Sequence, residues 1–121
     1  MTLRELYTAI GGDYEGVLGR MMNRESMVEK FVLKFLQDAS YDKLMESMEA
    51  ENYEEAFRAA HTIKGVGQNL GFTRLYQSAG ALSEALRGGC RPQDQALLER
   101  VEEDYRQTAG AIRAFQEASG T

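Results

Sequence analysis

One cysteine, one proline, one histidine and no tryptophan occur in these 121 residues. A lone thiol, Cys90, excludes an internal disulfide and fits a reducing compartment, which makes a cytoplasmic location the expectation. It follows Gly88 and Gly89, where an incidental thiol is the simplest reading. No apolar run approaches the roughly 20 residues that a membrane-spanning helix needs, and the N-terminus lacks the apolar core of a signal peptide. Nowhere do apolar and polar residues alternate as in a strand, so no Gly-rich phosphate loop follows a strand and an ATP site is not expected. Basic residues are also few. Lys and Arg number 14 against 19 Asp and Glu, a formal net charge of −5. That balance argues against non-specific binding to nucleic acid or to an anionic membrane surface.

What is present is helical periodicity in a length that suits one domain with a real core. Thr2 and Glu5 form a capping-box pattern ahead of Leu3, Leu6, Tyr7 and Ile10, and Gly11-Gly12 stops that short helix. Asp13 is placed to cap a second short piece with Val17, Leu18, Met21 and Met22 apolar. Asn23 is expected to open the first strong helix, in which Met27, Val28, Phe31, Val32, Phe35 and Leu36 form a stripe wider than one packing seam. Either two neighbours pack on that stripe or its edge stays exposed as a docking surface. Ser40 starts a shorter segment with Leu44, Met45 and Met48 inward. Asn52 and Glu55 signal a further cap. The helix they start should end near Gln68 to Leu70, with Gly71 as the left-handed exit. Thr73 is a candidate cap for the next helix, buried through Leu75, Tyr76, Ala79, Leu82 and Leu86 and stopped by Gly88-Gly89. Pro92 suits the first turn of a last helix carrying Leu98, Val101, Tyr105, Thr108, Ile112 and Phe115. The expectation is an all-α, antiparallel, up-and-down four-helix bundle over residues 23–118, with a helical arm over residues 1–22. Met1 and the lack of flanking linkers fit a stand-alone protein, with a monomer as the default.

The helix opened by Asn52 carries the only histidine. Ala56, Ala60, Ile63, Gly67 and Leu70 recur at steps of three and four and line one face. His61, Lys64, Gly65 and Gln68 share a different, polar face. Helical side chains lean toward the N-terminus, so residue 65 would normally cover residue 61, and a glycine there leaves the imidazole bare. Each glycine inside a helix costs about 1 kcal/mol relative to alanine. Access to His61 accounts for Gly65, and close approach of a neighbouring helix accounts equally well for Gly67. Arg58, three residues before His61, offers a second cation beside Lys64. A solvated imidazole is substantially neutral near pH 7, and its free nitrogen is a nucleophile toward a phosphoryl group.

His61-Thr62-Ile63-Lys64-Gly65 followed by Asn69-Leu70-Gly71 resembles the signature of histidine-containing phosphotransfer (HPt) domains, the carriers of multistep phosphorelays. The resemblance extends over about residues 24 to 118. It implies that His61 accepts a phosphoryl group from the aspartate of a response-regulator receiver domain, or of a hybrid sensor histidine kinase, and passes it to another receiver. It further implies that Lys64 steadies the phosphoryl oxygens and that Gly65 keeps the approach open, with Gln68 at the site's edge and Arg58, by its spacing, as a supporting cation. Mg²⁺ is expected on the receiver, with no cofactor on this chain and no kinase activity of its own.

Three other readings compete. A pure interaction module would keep the bundle and its docking face and bind response-regulator receivers without ever being phosphorylated. A non-covalent haem could take His61 and one of the six methionines as ligands, although Met21, Met22, Met27, Met45 and Met48 read as core filling. A hydrolase is poorly supported, because one histidine would be the base and no nucleophile stands next to it.

Overall fold

The structure is a computed structural model that describes residues 1–120. Among them, every regular element is helical: α1 (Leu3–Ile10), α2 (Tyr14–Arg20), α3 (Glu25–Phe35), α4 (Ser40–Glu49), α5 (Tyr53–Asn69), α6 (Thr73–Leu86) and α7 (Ala96–Ala118), with a 3-10 turn at Arg87–Gly89. Side-chain caps start several of them. In α1 the Thr2 hydroxyl accepts from the Glu5 N–H at 3.1 Å while the Thr2 N–H donates to Glu5 Oε1 at 2.9 Å. Asp13 caps α2 by accepting from the Gly16 N–H, and Asn52 caps α5 by accepting from the Glu55 N–H. Each takes up a donor that the first helical turn leaves without a partner.

Three helix starts differ from the sequence expectation. Asn23 does not open α3; Arg24 holds that position without a side-chain hydrogen bond. Asn23 instead adopts a left-handed φ of 59° and its N–H donates to the Leu18 carbonyl, so it closes α2. Asparagine tolerates that conformation better than most residues. Thr73 lies inside α6, with the buried Phe72 in the cap position directly after the left-handed turn at Gly71. Pro92 precedes α7 rather than starting it. Asp94 accepts from the Ala96 N–H at 2.9 Å, and the helix begins there.

The core follows the periodicity closely. Leu44 of α4, Ala56, Ala60 and Ile63 of α5, Leu75, Ala79, Leu82 and Leu86 of α6, and Val101 and Ile112 of α7 are all buried. Consecutive helices from α4 to α7 pack on one another. The connections α4–α5 and α5–α6 are only three residues long, which makes these neighbours antiparallel. The bundle closes through aromatic contacts: Tyr41 of α4 stacks on Tyr105 of α7 at 3.8 Å between ring centres, and Phe35 of α3 lies 5.8 Å from the same ring.

The N-terminal helices belong to this core as well. Leu3, Leu6, Tyr7, Ile10, Tyr14 and Val17 are buried, and α1 packs on α7. They also tie off the end of α5. The Tyr7 hydroxyl donates to the Leu70 carbonyl at 2.6 Å, and the Asp13 N–H donates to the Gly71 carbonyl at 2.8 Å. Arg20 donates to the carbonyls of Gln68 and Asn69 at 3.0 and 3.1 Å. Carbonyls at a helix C-terminus lack intrahelical partners, and α1 and α2 supply them here. The two loops touch so closely that a β-carbon on Gly12 would stand 2.6 Å from the Gly71 carbonyl oxygen. No helix among the described residues is long and apolar enough to cross a membrane.

Candidate functional site

Burial of Ala56, Ala59, Ala60, Ile63 and Gly67 fixes the rotation of α5 and turns His61, Gly65 and Gln68 to solvent. His61 is thus on the outside of the bundle, where it cannot serve a ligand held in the core, as the haem reading would require. Its ring lies beside that of Phe57, one turn earlier, with centroids 5.9 Å apart and planes inclined by 21°. Phe57 is half-buried against the core, so it is a fixed wall for the imidazole.

The two glycines that follow have opposite surroundings. A β-carbon on Gly65 would meet nothing within 4 Å. One on Gly67 would stand 3.1 Å from the Tyr76 nitrogen and 3.3 Å from its α-carbon. Gly67 therefore lets α6 approach, whereas no packing requirement accounts for Gly65. Its effect is to leave open the surface C-terminal to His61, which a side chain there would cover.

Lys64 reaches across to α6. Its side-chain carbons lie 3.6–3.8 Å from the position of a β-carbon on Gly80. The next charged positions on the same stripe of α6 and its extension are Glu84 and Arg87. Arg87 donates to both carboxylate oxygens of Glu84, at 2.6 and 3.3 Å. This hydrogen bond and the guanidinium charge hold the Glu84 carboxyl below its ordinary range, and Lys64 adds to the effect. Glu84 in turn raises Arg87. The Arg87 guanidinium carbon also sits 5.4 Å from the centre of the Phe57 ring, a cation–π arrangement. Arg58, the second cation expected from sequence, is ion-paired with Glu55 on its own helix. Gln68 is exposed, and its backbone carbonyl is one of the two held by Arg20. Sequence reasoning did not find Arg87, Glu84 or Gly80. Their spacing of four and three residues, which matches that of His61, Gly65 and Gln68, was the available signal.

Next to this face runs a groove of about 400 Å³ between α3 and the end of α5, lined by Phe31, Lys34, Phe35, Val66, Asn69 and Leu70 among others. Of the wide stripe on α3, Val28, Val32 and Phe35 are buried, whereas Phe31 is 38% exposed at the groove's rim. Asn69 is one turn beyond Gly65, so the groove opens alongside the histidine face.

Neither a curated protein nor a solved structure matches the chain significantly. The family model of the Hpt domain matches residues 30–111, a span that holds α4, α5, α6, most of α3 and α7, and every residue of the His61 face. With its helical bundle and an exposed histidine followed by Lys64 and Gly65, the chain belongs to the Hpt domain family, the phosphotransfer modules of two-component signalling.

Proposed function

We propose that His61 is the phosphoryl-carrying residue of a phosphorelay intermediate. It accepts the group from a receiver-domain aspartate and yields it to the aspartate of another receiver. The observation that carries this reading is the empty space beside Gly65: the helix gives up about 1 kcal/mol at a position where no neighbour demands a glycine. In the transfer, the lone pair of a neutral imidazole nitrogen attacks phosphorus. The acyl-phosphate P–O bond breaks, and the aspartate leaves as a carboxylate. Such a step needs in-line approach and neutralisation of charge on the phosphoryl oxygens. Lys64 supplies one cation beside His61. Gly65 leaves the line of approach free, and Gln68 borders it. Arg58, neutralised by Glu55, acts only as a distant charge. Mg²⁺ and its ligands come with the receiver, so the chain is a carrier and not a kinase. The receiver seats an apolar surface in the groove at Phe31, Val66 and Leu70. The protein acts as a monomer in the cytoplasm.

The test is transfer from a panel of phosphorylated receiver domains with Mg²⁺, run beside His61→Gln. An acid-labile label in the wild type that is absent from a folded His61→Gln variant is the expected result. Label retained by the variant would place the carrier elsewhere. Receivers that bind without transferring would favour a pure interaction module.

A further inference from the structure

The seam between α4 and α7 is held at one end by the stacked rings of Tyr41 and Tyr105. Toward the C-terminus of α4 the same seam holds a groove of about 480 Å³, and no residue of the His61 face lines it. Met45 and Met48 of α4, Tyr53 at the start of α5 and Leu98 of α7 give the groove an apolar floor, and each is half-buried. Carboxylates surround that floor. Glu49 and Glu51 border it from the α4 side, and Asp94, Glu99 and Glu102 from the α7 side, against the single cation Arg91. Glu102 is ion-paired with Arg106, and Asp94 accepts from the Ala96 N–H. Among the described residues, Glu49, Glu51 and Glu99 have no ion-pair partner.

Each feature restricts the occupant. An apolar floor draws a segment with an apolar side. The walls are helices whose backbone groups are already bonded, so they offer an incoming chain no ladder. A helix, which bonds its own backbone, suits such a place. The carboxylates select basic flanks and repel the phosphates of a lipid surface or a nucleic acid. A second copy of this chain, at a net charge of −5, meets the same repulsion. Unbranched methionine side chains adapt to whatever apolar residue meets them. We propose that the α4–α7 groove is a docking site for a basic amphipathic helix of a partner protein. The apolar side of that helix lies on Met45, Met48 and Leu98, and its Lys and Arg side chains reach Glu49, Glu51 and Glu99. The α7 wall from Gln95 to Glu102 spans about two turns, which sets the length of helix seated. The site assumes no role for His61.

The test titrates the full chain with a synthetic helical peptide of about 14 residues, with Leu on one side and Lys on both flanks. The NMR methyl signals of the six methionines report where it binds. Those of Met45 and Met48 should shift, whereas that of Met22, 75% exposed but outside the groove, should stay. A peptide with Glu in place of Lys should move neither. Glu49→Lys and Glu99→Lys should each weaken binding about fivefold, the effect of one exposed ion pair. Glu117→Lys changes the net charge equally at an exposed position outside the groove, and screening should keep its effect within about twofold. Met48→Gln, which alters no charge, should also weaken binding about fivefold through the lost apolar contact. Met45→Gln takes its place if that variant fails to fold. Methionine signals that all move alike, a Glu117→Lys effect as large as that of Glu99→Lys, or a floor variant that binds as wild type would overturn the proposal, because net charge alone would then draw the peptide. No shift at about 1 mM peptide would overturn it as well. So would Met45 and Met48 signals that follow the concentration of the chain rather than of the peptide, the mark of a second copy in the groove. Each of these failures leaves the carrier role of His61 untouched, since the transfer assay tests that separately.

Discussion

Lys64 lies along Gly80, its δ-carbon 3.6 Å from the point where a β-carbon would stand. The contact joins α5 to α6 and sets where the ammonium group can go. A methyl group fits at this distance as an ordinary van der Waals contact, whereas a branched side chain does not. Gly80→Ala should therefore leave phosphoryl transfer within about twofold of wild type, and Gly80→Leu should lower it toward the level of Lys64→Ala. A receiver-to-carrier transfer assay on these three variants checks the order. Full activity in a folded Gly80→Leu variant would show that the lysine's position is unimportant.

Gly65 and Gly67 should separate in a stability assay. With open space around it, Gly65→Ala should gain about 0.5–1 kcal/mol from helix propensity. Gly67→Ala has the same gain available but must push α6 away at Tyr76, so it should come out less stable than Gly65→Ala by at least about 1 kcal/mol. Urea denaturation of the two variants decides this. Equal effects would mean that α6 moves aside freely.

The junction between α1, α2 and the end of α5 makes a prediction about local order. Tyr7→Phe removes a buried hydrogen bond and leaves the Leu70 carbonyl without its donor, at a cost of about 1–2 kcal/mol. Arg20→Ala, at an exposed position, should cost about 0.5 kcal/mol. Both should speed amide hydrogen exchange in the last turn of α5 more than at its start. Uniform acceleration along α5 would argue that the contacts only add to global stability.

Alkaline pH should unfold the domain through its tyrosines. Burial and the hydrogen bond to the Glu25 carboxylate push the Tyr14 phenol up to about 12, and burial raises Tyr7 as well. A phenol in the unfolded chain ionises near 10. The folded state thus holds its protons longer than the unfolded state. The stabilisation is complete below about pH 10 and is lost as pH rises from there toward 12. The urea midpoint should fall across this window, and fall less in Tyr14→Phe. A variant with the wild-type slope would exclude Tyr14 as a source.

Much of this was legible because burial repeats at helical spacing. Ala56, Ala60, Ile63, Gly67 and Leu70 all face inward as their positions predict, and that rotation alone exposes His61. The capping box at Thr2 and the left-handed exit at Gly71 were legible for the same local reason. The misreadings fall where two local signals compete. Asn23 reads as a helix start, but the turn ending α2 needs a left-handed residue there. Pro92 suits a helix start, but Asp94 two residues on provides the turn that begins α7. What no local pattern contains is the meeting of separate helices. Arg87 reaches Phe57 only because α6 runs back along α5, and Arg20 finds the end of α5 across 48 residues of chain.

The packing of α1 on α7 has a consequence for how the domain is made. Leu3, Leu6 and Ile10 are buried in the finished fold, yet α7, on which α1 packs, leaves the ribosome after α2 to α6. Until then the first helix has only part of its apolar side covered, through Tyr7 against Tyr14 and Phe72, while α4, α5 and α6 can already assemble through neighbouring contacts. Contacts between distant parts of a chain form slowly because a long loop must close first. Completion of the His61 helix, whose final carbonyls wait for Tyr7 and Arg20, would then be among the last events of folding rather than the first.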